Sequence, residues 1–154
     1  MTTDNIHTFE VRSTWQGTRQ GTGVLSGAAG NSEFAIPANL AGAGGARTNP
    51  EELLLSAVAS CYSITLSLIA EKRRLPLTKV DVTASGQVER MANGGLKFIS
   101  ITLRPTLLLA GADEAQQSAA LQAANRAEQH CVISNAIRGN VEVHVEPTLQ
   151  LVAA

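Results

Sequence analysis

Residues 48–74, "TNPEELLLSAVASCYSITLSLIAEKRR", hold eighteen consecutive residues without a charge, from Leu53 to Ala70, with Cys61 in their middle. Eighteen residues reach only the lower edge of membrane-spanning length. Ser56, Ser60, Ser63, Thr65 and Ser67 interrupt the run, and no other stretch of the chain resembles a span. The segment therefore reads as a fully buried core helix and not as a membrane crossing. Its start is legible: Asn49 can cap, Pro50 fits the first turn, and Glu52 stands three residues past the cap. That gives Glu52 a structural task and leaves Glu51 without one. The helix should run to about Arg74, where "LP" ends it. Leu53, Ala57, Cys61, Ile64 and Leu68 form an expected apolar stripe. The serines form a second stripe, of small residues that let another backbone approach.

Outward from this helix the pattern alternates between strands and helices. "TFEVRSTW" (8–15) and "GVLSG" (23–27) read as a hairpin across "GTRQGTG", and "SEFAIPAN" (32–39) as a third short strand. "LAGAGGART" (40–48) is a glycine-rich connector that lacks phosphate-loop spacing. "TKVDVTASGQVER" and "LKFISITLRPTLLLA" make a second hairpin, with Asn93-Gly94-Gly95 at its turn. Residues 113–138 are alanine-rich and helical, with a break near His130, and Gly139 suits the C-terminal cap. In "VEVHVEPTLQLV" strict alternation turns Val141, Val143 and Val145 inward and Glu142, His144 and Glu146 outward. The order is three strands, long helix, two strands, helix pair, strand. It predicts one α+β domain over 1–154, with a mostly antiparallel sheet and helices against one face.

Composition narrows the function. Twelve Lys and Arg balance 13 Asp and Glu, and aromatics are 3% of the chain. Strong attraction to nucleic acid or anionic lipid is not expected, nor is base stacking. The N-terminal "MTTDNIHTFEV" lacks the basic and apolar blocks of a signal peptide, so a cytoplasmic location is expected. In that compartment a cysteine pair is more often catalytic, redox-active or metal-binding than a permanent disulfide. Two cysteines and three histidines without CxxC or HxxxH spacing do not compose a zinc site, and no metal or cofactor is expected. Taken alone, a cysteine on an apolar helix stripe is most often an inert core residue. If Cys61 works, its thiolate needs a cation or donor nearby, and the first hairpin offers Arg19.

"TNPEELLLSAVASC" (48–61), "HCVISNAIRGNVEV" (130–143) and "GTRQG" (17–21) resemble the organic hydroperoxide resistance and osmotically inducible protein family of thiol peroxidases. The order and spacing of elements match over nearly the whole chain. The resemblance implies that Cys61 is the peroxidatic cysteine, Cys131 the resolving one, Glu51 the catalytic glutamate and Arg19 its arginine partner. Two positions depart from the pattern. Val132 stands where the family commonly has proline after the second cysteine. The osmotically inducible branch takes its arginine from the loop before the long helix, where Arg47 is the candidate here. The implied activity is dithiol-dependent reduction of organic or fatty-acid hydroperoxides, with a lipoyl-bearing protein or another small thiol as reductant. Ten helical residues separate Glu51 from Cys61 by about 15 Å. Either the helix breaks, or the Glu51 beside a given Cys61 belongs to a second subunit of an intertwined homodimer. A thiol redox sensor using the same cysteines, or a non-catalytic carrier of apolar ligands, stands as the alternative.

Overall fold

A computed structural model describes residues 5–154. The chain divides into two compact units whose boundary, between Leu53 and Leu54, falls in the first turn of the long helix.

The first unit carries three antiparallel strands in the order β1 (Arg12–Gln16), β2 (Thr22–Gly27) and β3 (Gly30–Phe34). Gly23 pairs with Trp15 on one side and Phe34 on the other. A Cβ at this position would lie 2.3 Å from the Phe34 ring. The missing side chain lets the two rings meet across the strand, with centroids 5.5 Å apart. A 3-10 turn at Ala38–Leu40 follows, and Thr48 bridges to Phe34 before the long helix begins.

That helix, α1 (Pro50–Lys72), is continuous. Asn49 Oδ1 accepts the Glu52 N–H at 2.8 Å, as expected of the cap. The Glu52 carboxylate does not return to the Asn49 backbone; it accepts from the Thr48 hydroxyl at 3.2 Å, so the capping box is half-formed.

The second unit is a four-stranded sheet with helices packed on it. A long antiparallel hairpin joins β4 (Leu77–Arg90) to β5 (Leu96–Ala110), turning through Gly94 at φ +82°. β6 (Glu142–Val145) and β7 (Thr148–Val152) both pair with β5. Both run parallel to it, which the expectation of a mostly antiparallel sheet did not specify. The single closing strand of the sequence reading is thus two pieces, interrupted at Glu146-Pro147, because proline has no N–H for the ladder. The alternation expected for 141–146 holds, with the valines turned in and the charged residues out.

α2 (Glu114–His130) starts with a complete Asp113–Gln116 capping box. It presents Ala120, Ala123, Ala124 and Ala127 to the core, all 0% exposed. Alternate β5 residues Ile101, Leu103, Leu107 and Leu109 form the opposing surface. α3 (Val132–Ile137) follows directly, and Gly139, at φ +83°, lies just past its end.

The face of α1 that enters this core is not the expected stripe. Val58, Tyr62, Leu66 and Ala70 are buried, whereas Ile64 is 63% and Leu68 53% exposed. Nor is the helix buried all round. It is long and apolar enough to cross a membrane by length and composition, yet its Val58–Ala70 stripe packs on the sheet and α2. The Tyr62 hydroxyl anchors that contact by donating to the Ala124 carbonyl at 2.8 Å.

Candidate active site

The α2–α3 junction makes the site. Cys131 has extended backbone angles (φ −72°, ψ 120°), which stop α2 and let α3 start one residue later. Its N–H closes α2 onto the Glu128 carbonyl, and its sulfur caps α3 by accepting the Ser134 N–H at 3.4 Å. The break expected near His130 is therefore at the cysteine itself. It turns the first N–H groups of α3 toward the two sulfurs.

Cys61, from the middle of α1, and Cys131 are free thiols close enough to influence each other's ionisation. Cys131 is 0% exposed. Cys61 is half-buried and lines a groove of about 440 Å³. Ala57, Ser60, Ile64 and Thr65 of α1 form one wall, and His130, Val132 and Ile133 the other. The surface is mainly apolar.

The two thiols have opposite tendencies to ionise. Burial pushes Cys61 up, but the Cys131 thiol, the N–H groups of Ile133 and Val132, and the Thr65 hydroxyl outweigh it and hold Cys61 below its ordinary value. Burial pushes Cys131 up, and the neighbouring Cys61 adds to the rise against the hydroxyl and N–H of Ser134. The pair is thus polarised: the half-exposed sulfur of Cys61 tends toward the thiolate and the buried Cys131 toward the thiol. The donors that hold Cys61 low are the Cys131 thiol first and the peptide N–H groups of Ile133 and Val132 after it.

The remaining candidates lie in the first unit. Arg19 donates from Nη1 to the Leu40 carbonyl at 3.3 Å. Arg47 is engaged with Glu33 at 3.1 Å. The Glu51 Oε2 atom is buried without a hydrogen-bond partner, and no ion pair joins Glu51 to Arg19 among the described residues. An unpartnered buried carboxylate oxygen is costly, and Glu51, unlike Glu52, has no capping task to explain it.

Sequence reasoning missed Thr65, Ser134 and His130. Thr65 lies one turn beyond Cys61 on the same helix face, a spacing that could have marked it. Ser134 is the third residue after Cys131, where a helix cap expects a donor. His130 has no metal-ligand spacing to mark it, and reaches the groove because α2 stops at Cys131. His144 is exposed, as its alternation implies, and so is His7. No three metal-ligating side chains cluster among the described residues.

Comparison with known proteins places this geometry in context. The profile of the OsmC-like protein family matches residues 42–146. A Bacillus subtilis strain 168 protein described as uncharacterized, YmaD, is 33% identical over 147 residues, covering 94% of this chain and 96% of its own. An organic hydroperoxide resistance protein of Xanthomonas axonopodis pv. citri is 29% identical over 136 residues, covering 88% and 91% respectively. A Vibrio cholerae structure, of a putative organic hydroperoxide resistance protein with captopril bound in one of the active sites, superposes with a TM-score of 0.71 at 29% identity. It covers 93% of this chain and 94% of its own. With its long helix, paired thiols and sheet order, the chain belongs to the OsmC-like protein family.

Proposed function

We propose that this protein is a cysteine-based, dithiol-dependent peroxidase that reduces organic hydroperoxides to alcohols. The observation that carries the reading is the polarised thiol pair at the apolar groove, assembled from positions seventy residues apart. The Cys61 thiolate attacks the distal peroxide oxygen, and the O–O bond breaks. The electron pair leaves on the alkoxide, which takes a proton to become the alcohol, while Cys61 becomes a sulfenic acid. Cys131 then attacks the Cys61 sulfur; the S–S bond forms, the S–O bond breaks, and hydroxide leaves as water after protonation. An external dithiol, by family resemblance one borne on a lipoyl group, reduces the disulfide. A mainly apolar groove favours an alkyl hydroperoxide over hydrogen peroxide.

By the same resemblance, Arg19 stabilises the thiolate and polarises the peroxide, and Glu51 holds the guanidinium in place. Because α1 is unbroken, about 15 Å of helix axis separates Glu51 from its own Cys61. The Glu51 of a given site therefore comes from the partner subunit, in a homodimer with composite sites.

A dithiol-coupled assay with cumene hydroperoxide tests the reading. Wild type should turn over many equivalents and Cys61→Ser none. Cys131→Ser should react once and then over-oxidise. Arg19→Ala should lose about 10² in rate, the scale of removing one preorganised donor. Consumption of only a single equivalent by wild type, with dithiol in excess, would assign the pair to sensing instead.

A further inference from the structure

Hydroxyl side chains inside helices normally return their proton to a carbonyl one turn back. Those of α1 do so: Ser63 donates to Ala59 at 2.9 Å, Thr65 to Cys61 at 2.8 Å and Ser67 to Ser63 at 2.9 Å. Ser134 does not. It is 0% exposed, and its Oγ is buried with no hydrogen-bond partner of ordinary geometry. The Cys131 carbonyl, three residues back, is taken by the Asn135 N–H at 3.0 Å. What the hydroxyl faces is the Cys131 sulfur, which already accepts the Ser134 N–H. A desolvated donor left idle is an expense that an alanine would avoid.

We propose that the Ser134 hydroxyl is a positioning group for the resolving step, held beside Cys131 so that it closes on that sulfur as the sulfur ionises. The inference rests on the peroxidase reading above. In the reduced pair Cys131 is the member that keeps its proton, and the hydroxyl has no charge to bond. Once Cys61 is a sulfenic acid, Cys131 must lose its proton before it can attack. The charge then develops in a site with no exposure to water, where the Ser134 O–H joins its N–H as a second donor. Disulfide formation competes with attack of a second hydroperoxide on Cys61, so this residue sets resistance to over-oxidation without touching the substrate.

Ser134→Ala removes the hydroxyl and leaves the surrounding ionisable groups in place. These are Cys61 on α1, His130 beside Cys131, and the Glu128–Arg138 pair, 2.8 Å apart, that spans the ends of α2 and α3. In single-turnover mixing with one equivalent of cumene hydroperoxide, Ser134→Ala should consume peroxide at the wild-type rate. It should form the disulfide about tenfold more slowly, the effect of one hydrogen bond to a charged group. With excess peroxide it should accumulate sulfinic acid at Cys61, read by mass spectrometry, and Ser134→Thr should restore the wild-type partition. Unchanged disulfide rate and over-oxidation in Ser134→Ala would overturn the proposal. A second measurement separates this failure from failure of the peroxidase reading. In a Cys61→Ser background, the ionisation midpoint of Cys131, followed by its 13Cβ shift, should rise on Ser134→Ala. A wild type that forms no disulfide removes the peroxidase reading, whereas an unmoved midpoint removes the contact between Ser134 and Cys131.

Discussion

Cys61 owes its low affinity for a proton to donors that a sequence does not display as charge. The Cys131 thiol leads, the peptide N–H groups of Ile133 and Val132 follow, and the Thr65 hydroxyl, which also serves the Cys61 carbonyl at 2.8 Å, adds least. A lowered value means the thiolate persists to a lower pH than for an ordinary cysteine, so reactivity falls only below that depressed midpoint. Iodoacetamide labelling of Cys61 against pH should therefore show a midpoint below that of a free thiol. Thr65→Val, which removes the smallest of these donors, should move it slightly upward; a midpoint unmoved by Thr65→Val would leave the Cys131 thiol and the peptide N–H groups as the source. At this scale the sequence disclosed the two cysteines and the orphaned Glu51, because residue type and capping logic single them out. It did not disclose the donors, because their aim depends on α2 stopping at Cys131 and not at a neighbour. Arg19 stands out by its place in the GTRQG stretch, with Arg47 as the alternative, whereas a backbone amide has no one-letter code.

At the scale of elements, the strands were readable because each hairpin carries its own turn signal and alternation. Asn93-Gly94-Gly95 closes β4 onto β5, and the period-two pattern of β5 survives as alternate burial of Ile101, Leu103, Leu107 and Leu109. The parallel pairing of β6 and β7 was not readable, since alternation says which residues face inward but not which neighbour a strand takes. The buried face of α1 was not readable either. Apolar residues surround this helix, so 3.6-residue periodicity offers several stripes, and the one containing Cys61 was preferred over Val58–Tyr62–Leu66–Ala70. Burial of this stripe has measurable consequences. Leu66→Ala should cost 2–5 kcal/mol, as a cavity in a packed core does (order of magnitude). Tyr62→Phe, which removes the bond to Ala124, should cost about 1 kcal/mol. Urea unfolding followed by circular dichroism at fixed protein concentration checks both. A Leu66→Ala loss below that of Tyr62→Phe would mean the buried stripe is misassigned.

At the scale of the molecule, α1 has an unused surface. Ile64 and Leu68 face outward beside small serines, next to the groove that holds Cys61. Under the composite site proposed above, a second copy of the chain covers this surface, since Glu51 is one end of an unbroken helix and Cys61 its middle. Closed two-fold symmetry then makes a strong prediction about mixtures. Cys61→Ser and Glu51→Ala should each be nearly inactive as homodimers. After denaturation and refolding together, half of the dimers carry one chain of each kind. In these, the intact Cys61 sits opposite the intact Glu51 of the partner subunit, while the other site carries both defects. One working site in every second dimer amounts to about a quarter of wild-type activity recovered from two dead proteins. If instead each Cys61 uses the Glu51 of its own chain, every site in the mixture retains one defect and the activity stays at the level of the parents. Sedimentation of Ile64→Asp provides the matching control. A charge on the outer face should shift the protein toward monomer and abolish turnover, while labelling of Cys61, whose donors lie within its own unit, persists.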